Sequence, residues 1–115
     1  MAPAVVFNEH GNLQLVIGSP GGAMIINYVA KALVARLDWG LDLQAAIAAP
    51  NLGTRNGPTL LEKDTPYAAL EQGLGERGHR VVLMPLPSGL HAIERVPGGW
   101  RGGADPRRDG AAMGR

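Results

Sequence analysis

The feature that most restricts the fold is an apolar strand, a glycine-rich turn and a long apolar helix in immediate succession. Leu13–Ile17 predicts the strand, Gly18–Gly22 the turn, and Ala23–Leu37, which is apolar on almost every face, the helix. The first N–H groups of a helix lack intrahelical partners and lie at the positive end of its dipole. Because Gly21 and Gly22 carry no side chain, an oxygen of a ligand can approach these N–H groups closely. The turn therefore predicts either an anion or oxyanion site, or a tight bend that needs glycine only for steric reasons.

Known glycine motifs do not decide between these two interpretations. The stretch lacks the G-x-G-x-x-G spacing of a dinucleotide site, and it lacks the G-K-[ST] ending of a P-loop. From the sequence of the turn alone, both an anion or oxyanion site and a tight bend remain possible.

A longer run of residues resembles one protein family. The strand, turn and helix are similar to the strand–G-[ST]-P-G-G–helix segment of the gamma-glutamyltranspeptidase family. The similarity extends over essentially the whole chain through Leu15–Ile17, Gly18–Gly22, Met24–Ile26, Trp39–Ile47, Ala49-Pro50, Glu71–Gly78, His79–Val81 and Gly102–Arg108.

The resemblance implies a fold and a reaction. Members of this family are N-terminal-nucleophile hydrolases with an α-β-β-α sandwich, so we expect an α+β chain in which antiparallel strands pack against helices. We expect residues 1–115 to be a single domain, the C-terminal segment of the small subunit. In the family an N-terminal threonine attacks a gamma-glutamyl amide such as that of glutathione, and the acyl group passes to water or to an amino acid. Paired glycines that match Gly21 and Gly22 hold the oxyanion, which makes these two the expected catalytic residues.

Other parts of the family's site have no counterpart in residues 1–115. The nucleophile is expected well upstream of the glycine turn, whereas Thr54, Thr59 and Thr65 lie downstream. The paired serines that hold the substrate are expected before Met1, and the basic residue that grips its carboxylate belongs to the large subunit. The resemblance therefore implies a chain that is inactive alone and needs a missing N-terminal part or large subunit as partner. Pro50–Gly53 also replaces the family's Pro-Arg-x-His pattern, which leaves glutathione specificity open.

Two further functions remain open. The chain is alternatively a non-catalytic remnant that has kept the fold and covers its apolar helix by self-association, or part of a related acylase or amidohydrolase. A small anion-binding module that uses only the glycine turn is a third, weaker alternative.

Composition excludes several classes. With 115 residues, 45% of them hydrophobic and few aromatic, the chain fits one small domain with an aliphatic core. A net charge of +1 gives no reason to expect nucleic acid or an acidic membrane as partner. Cysteine is absent, and His10, His79 and His91 lack the short spacing of zinc ligands, so no metal or cofactor is expected. The first eleven residues do not resemble a signal peptide, and the periplasm and cytoplasm both remain open as compartments.

Local signals predict the remaining elements. Val5–Phe7 and Leu13–Ile17 should form a hairpin with His10 exposed at its tip. Gly40 suits a left-handed helix end, and Asp42 should cap a short helix that ends before Pro50. The other expected elements are a strand at Thr59–Glu62, a helix opened by Thr65-Pro66 and ended by Gly78, strands at Val81–Met84 and Leu90–Val96, and a type II turn at Pro97-Gly98.

Polar residues permit two weaker site hypotheses. Ser19 or Ser88 with His91 and Asp105 contains the residue types of a hydrolase triad, but there is no G-x-S-x-G elbow. The alternative is that His91 is packed or partly exposed in a strand.

Charged residues near the chain end and on the long helix have structural interpretations. Asp105–Asp109 is either an anion site or a turn in which Asp105 and Arg107 tie the chain end down, and the turn is favoured. Lys63-Asp64 and Glu94-Arg95 are expected to be solvated. Asn27, Lys31 and Asp38 should form a narrow polar stripe on the long helix, opposite Ile26, Val29, Leu33 and Leu37.

Overall fold

The computed structural model describes residues 2–114, which divide into two compact units, residues 2–49 with 88–114 and residues 50–87. Strands and helices are mixed in the α+β manner that the sequence predicts. The strands are β1 (Ala4–Phe7), β2 (Leu13–Gly18), β3 (Leu52–Gly53), β4 (Thr59–Glu62), β5 (Val81–Met84), β6 (His91–Val96) and β7 (Gly99–Ala104). The α-helices are α1 (Ile25–Leu37), α2 (Leu43–Ala48) and α3 (Glu71–Glu76), and 3-10 turns at Gly22–Met24 and Pro66–Leu70 precede α1 and α3.

The first unit contains a four-stranded antiparallel sheet in the order β1-β2-β6-β7. The hairpin of β1 and β2 is confirmed, and Asn8 Oδ1 accepts hydrogen bonds from the amides of His10 and Asn12 in its turn. His10 is exposed there, as predicted. The turn between β6 and β7 is also confirmed, with Gly98 at a φ of 83°.

One face of this sheet is covered, and the other, the open face, is largely exposed although Ala112 lies against it at Gly102. Leu15 and Ile17 on β2 are buried, whereas Val16 between them is 39% exposed. The alternation follows from the two-residue period of a strand. Helix α2 lies close against the covered face, because a Cβ added to Gly103 would come 2.6 Å from Cδ1 of Ile47.

Helix α1 differs from the prediction in its first residue and in the burial of two side chains. It begins at Ile25 rather than Ala23, because the preceding residues form the 3-10 turn. Ile26 was predicted to lie in the apolar stripe, but it is 69% exposed. Lys31 was predicted to lie in the polar stripe, but it is 7% exposed, because its side chain reaches acceptors on α2. Among residues 2–114 no helix has the length and apolar character to span a bilayer.

The predicted signals around α2 are confirmed. Gly40 has a φ of 71°, which suits glycine at the end of α1. Asp42 is the N-cap of α2, and its Oδ2 accepts a hydrogen bond from the Ala45 amide at 3.3 Å. The helix ends at Ala48, before Pro50.

The second unit holds a three-stranded sheet in the order β3-β4-β5. Strands β3 and β4 are antiparallel, but β4 and β5 are parallel, which the expectation of antiparallel strands did not include. The segment between β4 and β5 contains a 3-10 turn and α3, and it is long enough for a crossover between parallel strands. Thr65 occupies the predicted cap position, but its Oγ1 donates to the Glu62 carbonyl instead of accepting from the helix.

Candidate functional site

The glycine turn, defined here as residues 18–22, passes through two backbone conformations that favour glycine. Gly21 has φ 130° and ψ 24°, and Gly22 has φ 67°. A residue with a side chain adopts such positive φ values only with strain. The 3-10 turn begins at Gly22 and continues into α1, with the Ile25 amide donating to the Gly22 carbonyl. The amides of both glycines therefore lie at the N-terminal end of a helix.

These two amides have no hydrogen-bond acceptor within residues 2–114. No side chain caps the 3-10 turn or α1, and the first turn of each contains no acidic residue. Gly22 is exposed and Gly21 is partly buried. Unoccupied donors at the positive end of a helix dipole are the arrangement that an anionic oxygen requires.

Sterics distinguish the two glycines. A Cβ on Gly21 would come 2.9 Å from Cε2 of the buried Tyr28 ring, so glycine is needed there for close packing as well as for its φ. Apart from the adjoining backbone, a Cβ on Gly22 would meet no atom of the described chain within 4 Å. The steric interpretation therefore accounts for Gly21, whereas the surroundings of Gly22 leave room for a ligand.

The turn is attached to the segment before β6. The Gly89 amide donates to Ser19 Oγ at 3.1 Å, and Ser19 Oγ donates to the Pro20 carbonyl at 2.6 Å. Ser19 is 1% exposed. A Cβ on Gly89 would come 2.8 Å from Cγ of Pro20, so the two segments are in tight contact.

The residues of the triad hypothesis do not make the hydrogen bonds of a triad. Ser88 Oγ donates directly to Asp105 Oδ2 at 2.5 Å, and the imidazole does not stand between them. His91 is exposed, and its Nδ1 lies 3.1 Å from the Gly89 carbonyl oxygen. Ser88 is fully buried. A triad needs the histidine to accept the serine proton, so this cluster is not a serine nucleophile with its base.

Asp105 and Arg107 tie the chain end down, as predicted. Arg107 Nη1 donates to Asp105 Oδ1 at 2.9 Å, and the same guanidinium donates to the carbonyls of Ile47, Ala48 and Ala49 at the end of α2. Burial by itself would raise the pKa of Asp105, but hydrogen bonds from Ser88, Arg107 and Leu90 outweigh it and lower that pKa below its ordinary value. The carboxylate is therefore charged and fully bonded, which favours the turn over the anion site.

Lys31 is a buried polar residue whose role sequence analysis missed. Its Nζ donates to the carbonyls of Ala46, Ile47 and Ala49 at 3.1, 2.8 and 2.9 Å. The cation satisfies acceptors that a helix C-terminus leaves without partners and lies at its negative end. Its position between Ala30 and Ala32 in a mostly apolar helix was the signal in the sequence.

Glu94 was predicted to be solvated, and that prediction is wrong. It is 4% exposed and accepts hydrogen bonds from Arg36 at 2.8 Å and from Arg101 at 3.4 Å. Strand alternation contained the signal, because Glu94 shares the covered face with Ala92.

No group of three or more metal-binding side chains occurs within the described ranges, residues 2–114.

A family model described as Gamma-glutamyltranspeptidase matches residues 1–115. The glutathione hydrolase proenzyme of Bacillus subtilis (strain 168) is 30% identical over 99% of this chain and 20% of its own length. The acylase ACY 1 proenzyme of Pseudomonas sp. (strain SE83) is 36% identical over 90% of this chain and 18% of its own length. The chain therefore spans about a fifth of the length of these curated relatives.

Solved structures show the same fold. A gamma-glutamyltranspeptidase mutant of Helicobacter pylori superposes with a TM-score of 0.85 at 28% identity, over 94% of this chain and 61% of that one. The structure is therefore part of an N-terminal-nucleophile hydrolase fold.

Proposed function

Since the chain belongs to the gamma-glutamyltranspeptidase family, we propose that Gly21 and Gly22 hold the oxyanion during acyl transfer from a gamma-glutamyl amide. In this proposal residues 1–115 are one domain, the C-terminal segment of a small subunit. They act only together with the remaining part of such an enzyme.

The observation that carries the proposal is the pair of amides without an acceptor at the start of the 3-10 turn that leads into α1. When a nucleophile attacks an amide carbonyl, the oxygen becomes negative in the tetrahedral intermediate. Donors fixed in place before the reaction stabilise that charge without reorganising. The turn that carries the amides of Gly21 and Gly22 is restrained because Ser19 Oγ accepts from the Gly89 amide and Gly21 packs closely against the Tyr28 ring.

The nucleophile in this proposal comes from outside residues 1–115. Ser88 is fully buried and donates to Asp105, and Ser19 is buried and donates to Pro20. Neither hydroxyl is placed to attack a substrate. A threonine and a substrate-binding basic residue from the rest of the enzyme complete the site.

The pure chain offered gamma-glutamyl-p-nitroanilide should therefore release no p-nitroaniline above a protein-free blank. Turnover by the pure chain would contradict the proposal.

The glycine role is tested in a hybrid in which residues 1–115 replace the matching segment of the Bacillus subtilis glutathione hydrolase. In that hybrid, Gly21→Ala should lower kcat about 100-fold, the loss typical for one oxyanion donor. The reason is that a methyl group at φ 130° and 2.9 Å from Tyr28 displaces the turn.

Gly11→Ala is the matched control. Gly11 has a φ of 77° at the hairpin tip, with no atom of the described chain within 4 Å of an added Cβ. The substitution introduces left-handed backbone strain, on the order of 1 kcal/mol, away from the turn. An equal fall in kcat for both variants would show that general strain, and not the oxyanion donors, limits the rate.

A related acylase is the second candidate, because the acylase proenzyme is 36% identical to this chain. Asn51 also stands where the family pattern has arginine. Its backbone amide donates to Glu62 and its side chain to the Leu86 carbonyl. A second hybrid, built in the acylase, discriminates between the two. Higher recovery of host activity in the acylase than in the glutathione hydrolase would favour this candidate.

A further inference from the structure

Asp105 divides its hydrogen bonds between two segments of the chain. The carboxylate is 1% exposed. Its Oδ2 accepts from Ser88 Oγ at 2.5 Å and from the Leu90 amide at 3.0 Å, so it holds the two residues that flank Gly89. Its Oδ1 accepts from the amide and the guanidinium of Arg107 at 3.1 and 2.9 Å. Because Arg107 is itself bonded to the end of α2, the carboxylate has little freedom to move.

Gly89 transmits this restraint to the glycine turn. Its amide donates to Ser19 Oγ, and there is no spare space between Gly89 and the Pro20 ring. Ser19 and Pro20 immediately precede Gly21. A displacement of residues 88–90 therefore moves either the Ser19 hydroxyl or the Pro20 ring, and with them the backbone that enters Gly21 and Gly22.

We propose that Asp105 is a positioning residue for the glycine turn and acts through Ser88, Gly89 and Ser19 to set where the Gly21 and Gly22 amides lie. The catalytic consequence rests on the proposed function, but the positioning itself does not. It is a property of the backbone and can be measured in the chain without any reaction.

The test is amide NMR and hydrogen exchange on the ¹⁵N-labelled chain of 115 residues. In Asp105→Asn the Gly89 amide should exchange at least tenfold faster than in the parent chain, and the Gly21 and Gly22 resonances should shift. Ser88→Ala removes only one of the four hydrogen bonds to Asp105 and should produce the same changes in smaller size. Asp42→Asn, which alters the cap of α2, is the control and should leave the three glycine resonances in place.

A double-mutant comparison sharpens the test. Because Ser88 and Ser19 act in one series of contacts, Ser19→Ala combined with Ser88→Ala should shift the Gly21 and Gly22 resonances no further than the stronger single variant does. Additive shifts would mean two independent effects and would overturn the proposal.

Two other outcomes also overturn it. One is a folded Asp105→Asn or Ser88→Ala chain with unchanged glycine resonances and unchanged Gly89 exchange. The other is a uniform increase in exchange over the whole of residues 2–49 and 88–114, which is the signature of a merely structural role. If Asp105→Asn does not fold, Ser88→Ala decides the question. The two proposals can fail separately. If the glycine resonances shift in these variants but Gly21→Ala leaves kcat of the hybrid unchanged, the positioning role of Asp105 is supported and the oxyanion function is rejected.

Discussion

At the scale of single residues, Asp105 is the most informative side chain. It was predicted to tie the chain end to Arg107, and it does so, but it also receives the Ser88 hydroxyl and the Leu90 amide. The sequence predicted only Arg107, the partner two residues away. Ser88 and Leu90 are brought near Asp105 by the pairing of β6 with β7, which local sequence does not reveal.

The lowered pKa of Asp105 predicts how stability depends on pH. The pKa of the folded chain lies below the ordinary 3.8, so the unfolded chain takes up the proton first on acidification. The stabilising contribution of the carboxylate is therefore complete above about pH 5 and is lost as the pH falls through the folded pKa. Urea unfolding from pH 7 to pH 3 measures the free energy of unfolding of the parent chain and of Asp105→Asn. The difference between the two should become smaller below about pH 4.

Gln44→Ala is the control for this pH series, because Gln44 hydrogen-bonds the Ala104 backbone and does not titrate. The difference in the free energy of unfolding between Gln44→Ala and the parent chain should stay constant with pH. An Asp105→Asn difference that also stays constant would contradict the assignment.

At the scale of elements, the turns and caps that neighbouring residues determine were predictable, and long-range polar partners were not. The first hairpin, the left-handed Gly40, the Asp42 cap and the Pro97-Gly98 turn depend on residues close in sequence, and all are confirmed. The buried positions of Lys31 and Glu94 depend on partners elsewhere in the fold. The parallel pairing of β4 with β5 was missed for the same reason, since it depends on how a crossover packs.

The end of α2 tests the role of Lys31. Lys31→Met keeps the length of the side chain but removes every donor, so three carbonyls at a helix C-terminus lose a charged partner. We expect the free energy of unfolding to fall by about 3 kcal/mol, measured by urea denaturation. Lys63→Met, at an exposed lysine, should change it by less than about 0.5 kcal/mol. Equal stability of the two variants would show that Arg107 alone satisfies this helix end.

At the scale of the whole molecule, the open face of the four-stranded sheet is the notable feature. Val5, Val16 and Ile93 are direct cross-strand neighbours on this face and are 52%, 39% and 53% exposed. In a layered fold such a face is covered by another layer. The curated relatives are about five times as long as this chain, and the sandwich fold of the family stacks two sheets.

We expect the pure chain to cover this face by self-association, whereas the non-catalytic remnant hypothesis places self-association at the apolar helix. Light scattering should give a mass above the 12.0 kDa of one chain. Val16→Lys with Ile93→Lys should return the mass to that of a monomer, because two charges on the face prevent its burial. Ile26→Lys, on the exposed side of α1, should leave the association intact. A parent chain that stays monomeric at high concentration would argue against the prediction.

The attachment of the glycine turn also has a kinetic consequence. Gly89 and Ser19, which meet in the folded chain, are 70 residues apart in sequence, and Asp105 is translated later than both. On the ribosome, β2 and α1 emerge long before the carboxylate that steadies the turn between them. Closing such a long loop is slow compared with forming a helix or a hairpin. The glycine turn is therefore among the last parts of the nascent chain to reach its final conformation.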